Sequence, residues 1–454
     1  MTAHPPATPS TGAGPRPAAD RPERTPGHAP GTRILLVAGL GGAGRSTVAA
    51  ATALAAARRG RRTLLLTAED AAATGALLGL SPGTTDLPDV PHLELRQVDA
   101  GASFRRDLLA LQDQAAGLLD VLGAAPLDGD ELPEPPGALP VALLKAVRSA
   151  HAAGRHDLLV VDLPPAADAV HLLALPEQAR RWLTRLLPPE RQAARALRPV
   201  LAQLAGVPMP TRALFDAAAR WEAELAGVQS VLDAEGTGVR LVAEAGGAVA
   251  ERLRPTRAGL ALHGHRVESV VVNRLLPTGS ADAFLGAAAD RQQEGLAALR
   301  AELGDLPVAT VPHLGREPRG EADLSALLAH LPEPRLDAPG AAPSPAQVPA
   351  PRHGAPVTGE TPAPPAPRPD PWHIADQRSE DGLLVYRVPL PGAVRERLEL
   401  VRRGDELVVT AGPFRRIRPL PSALRRCTVA GAALRDGVLA VRFAPDGDLW
   451  PQRG

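Results

Sequence analysis

Cysteine, methionine and lysine are nearly missing from this chain of 454 residues. Its single cysteine, Cys427, allows neither an internal disulfide nor a cysteine-based zinc site within one chain. Two methionines, Met1 and Met209, are too few to line an adaptable Met-rich groove. Lys145 is the one lysine among 50 basic residues, so almost all positive charge is arginine. Net charge is zero, which removes bulk electrostatic attraction to nucleic acid. No apolar run reaches the roughly 18 residues of a membrane-spanning helix. Residues 1–31 lack the apolar core of a signal peptide, so the expected location is cytoplasmic.

Proline and glycine, by contrast, are plentiful: 50 and 43 residues, more than one compact fold accommodates. They concentrate in an N-terminal segment (1–31), expected to be disordered, and in a Pro/Ala-rich linker (333–371). Between these, residues 32–332 alternate short apolar runs with long helical stretches, the pattern of an α/β domain with a mainly parallel sheet. Strands are expected at Ile34–Ala38, Thr63–Thr67, His92–Val98, Leu158–Asp162, Arg240–Ala243, Val267–Asn273 and Val308–Val311. Helical insertions separate them. One carries Phe104, Leu108, Leu111, Ala115, Leu118, Leu119 and Leu122 at helical spacing, read as core packing in preference to a groove. Another runs from about Pro176 to Leu232. His263 and His265 lack a third ligand for a metal and are read as loop or surface residues.

Residues 372–445 change character to a small all-β unit, followed by a tail, 446–454. Leu407–Thr410 and Val438–Phe443 are strand-like, each preceded by a turn, Gly404-Asp405 and Asp436-Gly437. Leu439, Val441 and Phe443 share one face, and Cys427 reads as a small buried apolar residue.

The first strand runs into Gly39-Leu40-Gly41-Gly42-Ala43-Gly44-Arg45-Ser46-Thr47 and then an Ala-rich helix. Strand, glycine turn and helix N-terminus together make an anion cradle: backbone amides point inward and the helix dipole favours negative charge. The spacing fits G-x-x-x-x-G-K-[ST] except that Arg45 stands for lysine. Gly39, Gly41 and Gly44 also fit the dinucleotide pattern G-x-G-x-x-G, with Glu69 after the next strand as a ribose-binding acid. A dinucleotide-binding oxidoreductase and a purely structural turn are therefore alternatives at this point. Ser46 favours the ATPase reading, because its hydroxyl is placed to bind Mg²⁺. So does Asp162, an acid ending an apolar strand, the usual holder of the metal's water.

Several motifs in order resemble the ArsA/Get-pathway ATPases across about residues 33–332. The loop is similar to that family's G-K-G-G-V-G-K-[ST]-T. Asp162-Leu163-Pro164-Pro165, continuing to Leu172-Leu173-Ala174-Leu175-Pro176, resembles its switch II segment, and Leu64–Glu69 its switch I strand. Val270–Pro277 resembles the element whose Asn, here Asn273, reads adenine; Val311-Pro312-His313-Leu314 with Glu317 and Arg319-Gly320 resembles the stretch beside the base. The resemblance implies a P-loop NTPase fold with ATP and Mg²⁺ as cofactors. Gly39, Gly41, Gly42, Gly44, Arg45, Ser46 and Thr47 would cradle phosphate, with Asn273 and Pro312 at the base. Ser46 and Asp162 would hold the metal, with Glu69 and Arg45 as catalytic groups.

Departures from the family pattern alter the expected activity. Leu40 replaces the signature lysine that reaches a partner's nucleotide, and Arg45 replaces the loop lysine. Glu69 replaces the Asp that positions the attacking water, and T-G-H-T has become Ala166-Ala167-Asp168-Ala169. Losing positioned charge around a γ-phosphate costs about 10²–10³ in rate or more, so weakened hydrolysis is expected. The cysteines of arsenite-binding members are absent, which excludes that chemistry. A hydrophobic protein client remains in view, and so does dimerisation with a second copy or with an active paralogue that supplies the lysines. The segments around Leu390-Pro391-Gly392, Leu407–Gly412 and Ala433–Pro445 resemble the α-crystallin (small heat-shock protein) domain, a β-sandwich. Without an I-x-I motif in the nine residues after Pro445, large assemblies are not expected.

Overall fold

The structure, a computed structural model, describes residues 31–80, 90–114, 116, 123, 125–186, 212–334 and 368–447. The expected helical positions Ala115, Leu118, Leu119 and Leu122 lie outside them, as do segment 1–30, most of 333–371 and residues 448–454.

Seven strands form one wholly parallel sheet: β1 (Arg33–Gly39), β2 (Thr63–Thr67), β3 (Leu93–Gln97), β4 (Leu158–Pro165), β5 (Thr237–Glu244), β6 (Val267–Leu275) and β7 (Val308–Pro312). Their order is β3-β2-β4-β1-β5-β6-β7. All seven expected strands are present, and the order places β1 and β4 side by side at the centre. Their apolar runs are continuous because both faces are covered. Alternate residues serve different cores: Ile34, Leu36 and Ala38 face one, Leu35 and Val37 the other.

Helices α1 (Arg45–Arg58), α2 (Ala71–Leu78), α3 (Ala100–Gln114), α4 (Ala138–Ala153), α5 (Ala166–Leu186), α6 (Arg212–Leu232), α7 (Val249–Leu262), α8 (Ala283–Leu303) and α9 (Gly320–Leu328) surround this sheet. Helix α1 is so rich in alanine because it lies flat on the sheet, with Ala49, Ala50, Ala51 and Ala53 wholly buried. On β5, Arg240 is an exception to the apolar rule: it is 1% exposed. Its guanidinium donates to Ser269 Oγ, Thr52 Oγ1 and the Pro332 carbonyl. Burial, lacking a directly bonded carboxylate, lowers its pKa to about 10.

Two residues groups differ from their sequence reading. Phe104 of α3 is half-buried and packs against the core, as read, whereas Leu108 is half-buried without joining it and Leu111 is 44% exposed. These side chains, with Val141, Lys145 and Trp221, line a groove of about 480 Å³ between α3, α4 and α6. His263 and His265, read as loop or surface residues, do lie in the loop after α7 but are buried, at 5% and 7% exposure. They sit under the C-terminal β unit, which a local reading of residues 260–266 cannot anticipate.

That unit has two antiparallel sheets. One holds β10 (Leu398–Arg403), β11 (Glu406–Ala411) and β12 (Phe414–Pro419). The other has the order β13-β14-β9-β8, from β8 (His373–Gln377), β9 (Leu383–Pro389), β13 (Cys427–Arg435) and β14 (Val438–Pro445). Gly404-Asp405 joins β10 to β11, and Asp436-Gly437, both at positive φ, joins β13 to β14. Leu439, Val441 and Phe443 point inward at 1% exposure or less, against Val388, Leu407 and Val409.

The β unit packs on α5 and α7, and its inner residues share one continuous core with the parallel-sheet domain. Phe414 reaches over α7 and stacks on His171 with ring centroids 5.1 Å apart. Any Cβ at Gly259 would collide with the Phe414 ring, so glycine allows this close approach. Arg416 donates to the Leu262 carbonyl at 2.8 Å and lies 3.0 Å from Glu177; Arg181 and Arg185 both bond Glu406. Burial by itself would raise the Glu177 pKa, but His263 and Arg416 outweigh it and hold the carboxyl at about 2. His265 is lowered as well, to about 3: burial is the main cause, followed by its neighbours His263, Arg416 and Arg368.

Candidate nucleotide site

The C-terminal edge of the parallel sheet carries the residues expected to act. Strand β1 ends at Gly39, where a Cβ would come within 2.7 Å of the Val242 carbonyl oxygen. The chain then turns over itself, with Leu40 N–H donating to Val242 O at 3.0 Å and Ala43 N–H to Leu40 O at 3.1 Å. Gly44 caps α1 in the left-handed region, at φ 82°. Its missing Cβ also makes room for Asn273, whose amide would otherwise collide with it. The first four N–H groups of a helix have no intrahelical partner. The N-cap, Gly44, has no side chain to bond the amides that follow it, and no acid occupies the first turn. This geometry suits a phosphate.

Beside the loop lies a cavity of about 340 Å³, lined by Gly44, Thr47, Asn273, Pro312, Arg316 and Leu327 among others. Asn273 is buried and donates from Nδ2 to the Ala43 carbonyl at 2.9 Å. Asn273 and Pro312, distant in sequence from the loop, are thus brought to it by the β1-β5-β6-β7 order. Arg274 was not anticipated. It is one of two non-glycine residues at positive φ (60°) among the described residues, and its Nη1 donates to Gly42 O at 2.8 Å. A left-handed arginine costs about 1–2 kcal/mol, and here it closes the outer side of the loop.

On the inner side, parallel pairing sets Asp162 level with both Val37 and Thr67. Asp162 is 3% exposed. Arg45 is turned toward it: Nε donates to Asp162 Oδ1 at 2.6 Å, while Nη2 donates to Glu69 Oε1 at 2.6 Å. Arg45 is itself nearly buried, whereas Glu69 is half-exposed. Thr67, also unanticipated, donates weakly to Asp162 Oδ2 at 3.4 Å and accepts from the Glu69 amide. Burial raises the Asp162 pKa, and Arg45 and Ser46 counter this only in part.

The sequence places Gly39, Gly41, Gly42, Gly44, Arg45, Ser46, Thr47, Glu69, Asp162, Asn273 and Pro312 in one site, and the fold does bring them to one edge. Asp168 stands apart, exposed in the first turn of α5. Leu40 packs against both cores of its own chain. The loop and its cavity fit a nucleotide's phosphates and base. The acid end does not fit Mg²⁺ with Arg45 where it is: Asp162, an expected metal ligand, has Oδ1 bonded to a guanidinium that already neutralises the carboxylate. Among the described residues no group of three or more His, Cys, Asp or Glu could hold a metal ion.

Residues 32–333 match the family model of the anion-transporting ATPases, ArsA type. The chain belongs to this family. Residues 381–443 match a second model, the HSP20-like domain found in ArsA, which agrees with the two antiparallel sheets seen here. An uncharacterised protein of Streptomyces coelicolor is 54% identical over 421 residues, covering 92% of this chain and 99% of its own length. A Mycobacterium tuberculosis protein is 33% identical, with coverage of 92% and 97%. A putative arsenical pump-driving ATPase of Aquifex aeolicus is 24% identical, with 87% and 95% covered. ArsA-family architecture thus extends across both the parallel-sheet domain and the β unit. Among the described residues no helix is long and apolar enough to cross a membrane.

Proposed function

We propose that this ArsA-family protein binds ATP on the Gly39–Thr47 loop, hydrolyses it slowly or not at all, and couples binding to the handling of a hydrophobic protein client. The observation that carries the weakened hydrolysis is the Arg45 guanidinium, 2.6 Å from both Asp162 and Glu69. An acid that is to orient water must have a free lone pair aimed at it. Here both acids are bonded to the residue that would otherwise cradle phosphate.

Coupling rests on α5. It begins directly after Pro165 at the nucleotide edge, packs on α6 of the apolar groove, and carries His171, Glu177 and Arg181 to the β unit. A shift of Asp162 on nucleotide binding is passed to the groove and the β unit along this helix, which continues through Pro176. The groove offers Phe104, Leu108, Leu111 and Trp221 to an apolar segment.

Steady-state phosphate release by the wild type, Arg45→Lys and Asp162→Asn tests the enzymatic part. The expected result is little release above background by the wild type and a gain with Arg45→Lys. Ordinary wild-type turnover that Asp162→Asn abolishes would overturn it. The inward packing of Leu40 favours a second reading, in which the protein is a non-hydrolysing partner of an active paralogue. Mixing with such a paralogue would then raise turnover above the sum of the separate proteins.

A further inference from the structure

Arg45 is the first residue of α1, so its backbone faces the phosphate side of the loop while its side chain runs back toward β2 and β4. The guanidinium ends between two carboxylates on different strands, Glu69 after β2 and Asp162 in β4, at 2.6 Å from each. We infer that this guanidinium takes the place of the divalent cation, so that the site binds the metal-free nucleoside triphosphate. The inference rests on the nucleotide reading above and specifies the form of ligand that the loop accepts.

Three physical reasons support it. A guanidinium is charged at any ordinary pH and presents a planar fork that matches two carboxylates. It cannot be titrated away to make room for a metal. A divalent ion on Asp162 would stand next to that fixed positive charge, a repulsion felt strongly in a site this dry. Mg²⁺ also demands near-octahedral oxygen ligands and sheds its waters reluctantly. Asp162 offers it little: Oδ1 is bonded to Arg45 at 2.6 Å, and Oδ2 accepts a weak bond from Thr67 at 3.4 Å.

Phosphate binding does not need the metal here. The amides of Gly44 to Thr47 and the dipole of α1 supply the attraction, and the first turn of α1 contains no acid to oppose it. Arg274 is a second fixed positive charge on the loop, 2.8 Å from the Gly42 carbonyl. A nucleotide held in this way lacks the metal bridge between its terminal phosphates, which agrees with slow hydrolysis.

Calorimetric titration of ATP into the full chain, once in excess EDTA and once in excess MgCl₂, tests this directly. The two wild-type dissociation constants are expected to agree within about threefold. Arg45→Lys, which frees Asp162, should tighten in Mg²⁺ by about tenfold or more, the worth of one or two charge-assisted bonds. Wild-type binding that is tighter in Mg²⁺ by about tenfold would overturn the inference and leave the nucleotide reading standing. Absence of binding in both buffers would overturn both. The wild-type pair decides the matter even if the variant does not fold.

Discussion

Helix α5 has two ends that are built in opposite ways. At its N-terminal end, near the loop, the ion pairing centres on one arginine that joins two acids, one of them half-exposed. The backbone leaves open amides and a cavity of about 340 Å³. From His171 onward the helix is held to the β unit by the tilted rings of His171 and Phe414, by Arg416 on Glu177 and by two arginines on Glu406. Trp372 lies under both Arg416 and Arg418. The difference is between an end that leaves a cavity beside the loop and an end that is packed against the β unit.

The contrast breaks most readily at the closed end. Phe414→Ala removes a ring that is 2% exposed and packs between His171 and Gly259. It should cost about 3–5 kcal/mol by urea unfolding of the full chain. A loss below about 1 kcal/mol would mean that the β unit is only loosely attached.

Acid acts on the same end. The folded pKa of His265 is about 3 against an ordinary 6.5, and His263 is lowered too, so the unfolded chain takes up protons first. Stability from these histidines is full above pH 6.5 and is lost as pH falls toward 3. Glu177, at about 2 against 4.5, adds a loss of the same sign below 4.5. Neighbouring Asp233, whose pKa is raised chiefly by burial, opposes this only in part. Between about pH 7 and pH 5 the loss should be on the order of 2 kcal/mol. A Tm that is flat over that interval would contradict the buried, neutral histidines.

At the open end smaller effects are expected. Arg45→Ala leaves the nearly buried Asp162 without its guanidinium and should cost about 1–3 kcal/mol, read by the same unfolding curve. Glu69→Gln touches only the half-exposed partner and should change stability by less than about 1 kcal/mol. A Glu69 effect as large as that of Arg45 would place the weight of the pair on the wrong acid.

The architecture is highly legible in the sequence. The seven strands can be read because their apolar runs are continuous, as burial on both faces requires. The hairpins of the β unit can be read because Gly404-Asp405 and Asp436-Gly437 permit so few backbone shapes. The loop can be read because its glycines answer backbone needs, such as the approach of Asn273 to Gly44. Side-chain direction is a different matter. Spacing puts Arg45 at the start of α1 but does not say that its guanidinium turns to Asp162, 117 positions away. His263 and His265 are buried by strands more than 100 residues downstream, which local polarity cannot reveal. Arg274 and Thr67 are positioned by strand order, a property of the sheet and not of any segment.

The most direct test is the structure of the full chain with ATP, grown in magnesium. The triphosphate should lie on the amides of Gly44 to Thr47 with its base beside Asn273 and Pro312, and the Arg45 guanidinium should fill the space next to Asp162 with no metal there. An empty loop with nucleotide bound elsewhere, or a magnesium ion seated on Ser46 and Asp162, would contradict the account.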